Sequence, residues 1–353
     1  MNTRTVAVLY GGRSGEHEVS LRSAASIIAG LRQLDGLKVM PVLITKDGSW
    51  LLEGKRVAIL PDPQVGGLYL LEGENAGEII NVDVVFPVLH GTYGEDGTVQ
   101  GLLDLARIPY VGAGVSGSAV GMDKIFMKAA LLAEGLPVGD YRWFTAAQWA
   151  KDQENITADI TEALGFPCFV KPANLGSSVG ISKAYDRSAL VDAVTEALSY
   201  DRRVLVEKFL PGREIECSVL GHDNPLASVP GEVIPGADFY DYHAKYIDDS
   251  SQLVIPAQMP AEMTEKIRDL AVKTFVVLDC SGLGRIDFFV DDSQGLVWIN
   301  EINTLPGFTT ISMYPKLWEA SGTAFNELLS RLIELAVECH AQKENLKTTF
   351  DAI

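Results

Sequence analysis

Arg285, Asp287, Glu301 and Asn303 stand at strand-like spacing on either side of a turn, and together they have the chemistry to hold a divalent cation and a nucleotide's phosphates. Residues 284–290 and 296–302 are strand-like runs, and Asp291-Asp292-Ser293-Gln294-Gly295 between them is a good hairpin turn. Successive side chains of a strand face opposite ways, so Arg285 and Asp287 share a face, as do Glu301 and Asn303. A register pairing Val290 with Leu296 or Trp298 puts all four on one side. Ile286, Phe288, Trp298 and Ile302 then cover the other. Two carboxylates about 4 Å apart repel by about 4 kcal/mol at an effective dielectric near 20. A divalent cation between Asp287 and Glu301 relieves that repulsion. Two carboxylates, an amide oxygen and phosphate oxygens are the hard ligands that Mg²⁺ takes. An outer sheet face with solvated charges fits the same four residues, although the dense polar run over residues 300–307 (NEINTLPG) weighs against it.

Phosphates need donors of their own. There is no GxxxxGK(S/T) loop and no kinase HRD or DFG triplet. Residues 112–117 (GAGVSG) match GxGxxG literally, but the acidic partner would be Glu134, near a helix end instead of a second strand end. Residues 11–15 (GGRSG) have the wrong spacing for that fingerprint. Residues 171–180 (KPANLGSSVG) make a better cradle. Lys171 at a strand end supplies a point charge, and the glycine- and serine-rich stretch behind it can aim backbone N–H groups at oxygens. An ordinary loop with a surface lysine fits these residues equally. Glu207-Lys208-Phe209-Leu210 closes a strand and offers polar and apolar groups to an adenine. Glu214 follows where a ribose hydroxyl could be accepted, and both glutamates also fit plain surface positions.

The elements that must position these groups alternate. Residues 5–10 read as a buried parallel strand, followed by helix 20–34 and strands 39–44 and 82–89. A longer stretch with turn residues such as Asp47-Gly48 separates the last two. Helix 99–106, strand 108–111 and helix 116–134 follow, so residues 1–122 read as an α/β domain with a parallel sheet. A second domain, 123–210, contains helix 145–164, strand 166–172, helix 188–199 and strand 203–209. The third, 211–353, opens with strands 214–221 and 225–234 and crosses a polar stretch, 235–251, to helix 261–278. The hairpin and a closing helix, 323–339, complete it, and the polar residues 341–353 read as a frayed tail. The fold class is α/β, with α+β character in the C-terminal part.

Bulk properties exclude several functions. A chain of 353 residues exceeds what one core usually serves, and 47% hydrophobic residues describe a packed globule. A net charge of −18 repels nucleic acid, so an anionic nucleotide must be met by locally placed cations. The amino terminus lacks the pattern of a secretory signal, and no uncharged apolar run approaches the roughly 20 residues that span a bilayer. Cys168, Cys217, Cys280 and Cys339 lie far apart and form no CxxC pair, as in a cytoplasmic protein with reduced, mostly buried thiols.

With these pieces in order, the sequence resembles the D-alanine–D-alanine ligases of the ATP-grasp class from residue 6 to about 335. The likeness rests on residues 11–20 (GGRSGEHEVS), 90–97 (HGTYGEDG), 122–124 (MDK), 171–180, 240–246 (YDYHAKY), 285–287 (RID) and 300–307, in the family's order. It implies an ATP-grasp fold with an N-terminal Rossmann-like domain, and ATP-driven joining of two D-alanines for peptidoglycan synthesis through an acyl phosphate. By the same resemblance Glu16 holds the first substrate's ammonium, with Ser177 and Tyr246 in its network. Arg285 and the Gly307 N–H stabilise the oxyanion, and Ser312 binds the second substrate's carboxylate. Lys124, Lys171 and Lys245 contact phosphates. Ser178, Glu207, Lys208, Leu210 and Glu214 complete the ATP site, while Asp287, Glu301 and Asn303 ligate two Mg²⁺ ions, for which Mn²⁺ can substitute. Residues 238–255 form a loop that closes over the site and excludes water. Tyr246 favours an amine nucleophile over D-lactate, and His243 departs from the acidic residue more usual there. His90 fits a place near the second substrate or a structural role equally. A homodimer follows from the family likeness alone.

Overall fold

The structure is a computed structural model that describes residues 3–176, 179–234, 252–309 and 311–347. Ser177, Ser178, His243, Lys245, Tyr246 and most of the expected closing loop lie outside the described residues.

The first sheet contains β1 (Arg4–Gly11), β2 (Leu37–Ile44), β3 (Trp50–Leu52), β4 (Lys55–Ile59), β5 (Gly67–Leu70), β6 (Ile79–Asn81) and β7 (Val84–Val88), in the order β6-β5-β4-β3-β2-β1-β7. Val6, Ala7, Val8 and Leu9 are buried on both faces of β1, as a central parallel strand requires. Only β2, β1 and β7 are parallel. The strands β3 to β6 add an antiparallel ribbon that corrects the expected all-parallel sheet, because tight turns such as Glu53-Gly54, both at positive φ, force neighbouring strands to reverse. The expected strand 108–111 is a single bridge from Val85 to Tyr110, Pro109 having no N–H for a ladder. Helix His17–Leu31 packs with helix Phe325–Glu344 on one face through Ile27, Leu31, Leu328, Leu329 and Leu332. Helix Thr98–Leu105 covers the other through Val99 and Leu103.

The expected helix 116–134 is two helices, Val115–Met122 and Lys124–Ala133. Asp123 breaks it, adopting φ −86°, ψ 102°, and its carboxylate accepts the N–H groups of Ile125 and Phe126 as an N-cap. The break turns Lys124 and Lys128 towards the interior, which bears on the site below.

A four-stranded antiparallel sheet follows, with β8 (Tyr141–Thr145), β9 (Cys168–Pro172), β10 (Ser182–Ala184) and β11 (Arg203–Lys208) in the order β10-β9-β11-β8. Helices Ala146–Ala163 and Arg187–Ala197 cover one face, and Thr145 with Gln148 forms a capping box on the first. The third sheet holds β12 (Arg213–Gly221), β13 (Leu226–Ala227), β14 (Gly231–Ile234), β15 (Gln252–Val254), β16 (Gly282–Asp291) and β17 (Leu296–Asn303). Among the described residues its order is β15-β14-β12-β16-β17, with β13 also on β12. The expected strand 225–234 is thus two short ones. Ile215, Cys217, Ile286, Phe288 and Ile299 pack under helix Ala261–Val277, together with Met127 and Leu131 from helix Lys124–Ala133.

A helix not expected from sequence, Met313–Ala320, buries Tyr314, Leu317 and Trp318. The closing helix runs to Glu344, so residues 341–344 are not frayed. Lys343 and Glu344 bond Asp104 and Arg107 at 3.0 Å, and Gln342 donates to Asp223 at 2.9 Å. The four cysteines are free thiols, three of them buried, and among the described residues no helix is long and apolar enough to cross a membrane.

Candidate active site

The hairpin β16–β17 does not keep the simple expected register. Asp291 pairs with Leu296, Val290 with Val297 and Phe288 with Ile299, one residue out of step. A bulge then takes up Asn300, so Asp287 pairs with Glu301 and Arg285 with Asn303. Val297 and Ile299 therefore join the core with Ile286, Phe288 and Ile302, and Trp298 pairs with Phe289 outside it. The correction has a plain cause. One inserted residue lets apolar positions near the turn and polar positions at the strand end use opposite parities. Arg285, Asp287, Glu301 and Asn303 still share a face.

Arg285 is the centre of that face. It donates through Nε and Nη2 to the two Asp287 oxygens, each at 2.7 Å, and its Nε lies 2.9 Å from Glu216 Oε2. Asn303 donates to Asp287 at 3.0 Å. Lys124 Nζ lies 3.9 Å from Glu301 and donates to the Leu175 carbonyl at 2.7 Å. Asp287 and Glu301 are direct cross-strand partners, an arrangement that like charges disfavour. The Asp287 and Glu301 carboxylates line one cavity with Asn303 beside them on the same face, a donor set that fits a hard divalent cation.

That cavity, of about 390 Å³, lies between the second and third sheets, within the range of small-molecule sites. Its inner wall is an ionic cluster. Phe169 on β9 pairs with Glu207 on β11, which puts Lys171 diagonally across from Glu207 and within reach of it. Glu207 forms ion pairs with Lys171 and, at 2.5 Å, with Lys128. Burial works against the Glu207 anion, but the two ammonium groups outweigh it and hold the carboxyl down at about 2. Burial likewise works against the Lys171 cation, yet Glu207, Glu301 and Glu214 raise it above its ordinary value. Lys208, Leu210 and Glu214 line the same cavity, and Lys183 sits 4.7 Å from the Phe209 ring centre, giving the outer wall flat surfaces for a base.

Glu16 is buried at the N-terminus of helix His17–Leu31. A Cβ added at Gly91 would lie 2.3 Å from Glu16 Oε2 and one at Gly176 2.8 Å from it, so both glycines pass close to this carboxylate. Glu95 is close by. Burial and the Glu16 carboxylate push its carboxyl up, against the pull of the Gly91 and Leu305 N–H groups and of Arg285.

Gly307 belongs to a turn that is anchored on both sides. His90 Nδ1–H donates to the Leu305 carbonyl at 2.9 Å. Its Nε2 accepts from Ser23 Oγ at 3.2 Å, and Ser23 Oγ accepts the Phe308 N–H at 3.2 Å. Burial pushes His90 down to about 4, so the ring is neutral and both nitrogens are used within the protein. That arrangement favours the structural role. Ser312 Oγ accepts the Thr309 N–H at 2.9 Å, closing the turn after Gly307.

Sequence reasoning missed Lys128, Glu95 and Glu216 as site groups. Lys124 and Lys128 share a helix face by their spacing, and Glu214 and Glu216 share a strand face, which were the available signals.

A family model described as D-ala D-ala ligase N-terminus matches residues 5–113, and one described as D-ala D-ala ligase C-terminus matches residues 130–334. A D-alanine–D-alanine ligase of Natranaerobius thermophilus is 50% identical over 99% of this chain and 99% of its own. That of Acetivibrio thermocellus is 49% identical over 98% of each. The solved structure of the D-alanine–D-alanine ligase from Coxiella burnetii superposes with a TM-score of 0.85 at 36% identity, over 98% of this chain and 97% of its own. The VanG D-Ala:D-Ser ligase from Enterococcus faecalis does so with a TM-score of 0.85 at 34% identity, over 95% and 100%.

Proposed function

The chain belongs to the D-alanine–D-alanine ligase family, ATP-dependent enzymes that join two D-alanines for the cell wall, and from that premise we propose how its own residues divide the work. The observation that carries the reading is the single face on which Asp287, held by Arg285, and Glu301 line the same cavity as the Lys171–Glu207–Lys128 cluster.

A carboxylate is a poor electrophile, so ATP first phosphorylates the first D-alanine and the amine of the second attacks the acyl phosphate. Glu16 holds the first ammonium beside Gly91 and Gly176. Lys124 and Lys171 meet phosphate oxygens as point charges, while Glu207, Lys208, Leu210 and Glu214 hold adenine and ribose. Arg285 and the Gly307 N–H face the oxyanion that develops during attack, where fixed donors in a dry site count most. Ser312 receives the second carboxylate. Asp287, Glu301 and Asn303 would hold two Mg²⁺ or Mn²⁺ ions, which when bound would neutralise charge on the transferring phosphoryl group. Ser177, Ser178, Lys245 and Tyr246 keep the roles that the resemblance assigns. The division at residues 122 and 210, a cytoplasmic location and a homodimer belong to the same reading, and light scattering reads the last.

Purified protein given ATP, Mg²⁺ and D-alanine should release phosphate and D-alanyl-D-alanine in equal amounts. Because the family likeness extends to a D-Ala:D-Ser ligase, D-serine and D-lactate belong in parallel assays. Product with one of these and none with D-alanine alone overturns the choice of second substrate. A further expectation concerns Gly91, which has φ +73° and touches Glu16. Gly91→Ala introduces strain of about 1–3 kcal/mol and displaces that carboxylate. The KM for D-alanine should rise about tenfold or more with nucleotide affinity unchanged, and an unaltered KM would remove Glu16 from the ammonium site.

A further inference from the structure

Glu95 has no part in the reading above, yet it lies where the two ends of the first-substrate site meet. Its Oε2 accepts the Gly91 N–H at 2.8 Å and its Oε1 accepts the Leu305 N–H at 3.1 Å. Gly91 is the residue against which Glu16 rests, with no room there for a side chain. Leu305 is two residues before Gly307, and its buried side chain and carbonyl fix the start of that turn. One carboxyl group thus ties its own loop, at Gly91, to Leu305, 210 residues away in sequence. Among the described residues, both oxygens are spent on backbone donors and neither points at the nucleotide cavity, whose lining does not include Glu95.

An α-amino acid carries its ammonium one carbon away from its carboxyl group. A site that grips both ends must therefore fix its two receptors relative to each other to within a few tenths of an ångström, or the carboxyl is misaligned for attack. Glu16 comes from the loop after β1 and Gly307 from the loop after β17, so no common element holds their separation. We propose that Glu95 is a positioning residue that sets the distance between the ammonium-binding Glu16 and the oxyanion-facing Gly307 N–H. This rests on the roles assigned to those two residues above.

Glu95→Gln is nearly isosteric but presents one oxygen and one NH₂, so one of the two backbone N–H groups loses its acceptor. The expected result is a split. The kcat should fall about ten- to a hundredfold and the KM for the first D-alanine should rise about tenfold, while the KM for ATP stays within about twofold. Phosphate release should exceed dipeptide formation, because a misaligned acyl phosphate meets water before the second amine. A merely structural role would lower thermal stability and affect all three kinetic parameters alike, and that pattern overturns the proposal. Wild-type values for D-alanine in Glu95→Gln overturn it too. If Glu95→Gln fails to fold, Glu95→Asp decides. It keeps both acceptors on a shorter stem, and the same split at smaller size is expected, whereas unchanged or uniformly reduced parameters reject the role. A wild-type protein that releases no D-alanine-dependent phosphate rejects the underlying reading, and the inference with it.

Discussion

Glu301→Gln should reduce turnover about a hundredfold or more while leaving the fold as stable as before. Glu301 is a cross-strand partner of Asp287, and its side chain retains 23% exposure at the edge of the cavity. The substitution keeps size and one oxygen but removes one of two opposed anions. The apo protein loses a repulsion from Asp287 and also an attraction to Lys124 and Lys171, so its urea midpoint should move little. The catalytic cost comes from elsewhere. Charge neutralisation at a transferring phosphoryl group is worth several kcal/mol, and each 1.4 kcal/mol is about tenfold in rate. Titrating Mg²⁺ separates the contributions. Half-saturation should move to higher concentration, and saturating metal should restore part of the rate. Full activity at ordinary Mg²⁺ would mean that this face does not hold the metal and that the hairpin's polar residues are solvated charges.

The contrast between what was legible and what was not follows from where the information lies. Alternation in β16 and β17 and the turn between them are local, so the pairing of Asp287 with Glu301 could be expected from side-chain parity. The bulge at Asn300 could not, because its cause is the demand that Val297 and Ile299 reach the core while Glu301 faces away. The ribbon β3 to β6 has strands of only 3 to 5 residues, too short for periodicity to register. Asp123 is a readable cap that was overridden by the helical pattern on either side of it. Lys128 shows the largest gap. A lysine after Met127 on an amphipathic helix reads as solvent-facing, and only the packing of that helix against β11 leaves it 2% exposed beside Glu207. The residues proposed to meet the nucleotide stand out through strand ends and glycine-rich spacing, whereas the groups that brace them are tertiary.

Glu207 bears the second large effect, on stability. Replacing it with Gln leaves Lys128 and Lys171 as two cations in a largely buried place with no anion between them, and breaking a buried pair in this way costs about 3–5 kcal/mol. The urea midpoint should fall accordingly at pH 7. The pH dependence identifies the cause. The folded carboxyl titrates at about 2, below the roughly 4.3 of an unfolded chain. Its stabilisation, roughly 3 kcal/mol from that difference, is complete above the unfolded value and is lost as the pH falls through about 4.3 towards 2. The gap between wild type and Glu207→Gln should therefore shrink to about half by pH 3. Adding Lys128→Met to Glu207→Gln removes one unpaired cation and should recover part of the loss, since the two sites share one ion pair and cannot be additive. A gap that stays constant from pH 7 to pH 3, or a double variant no better than the single, would show that the ion pairs of Glu207 with these two lysines do not stabilise the fold.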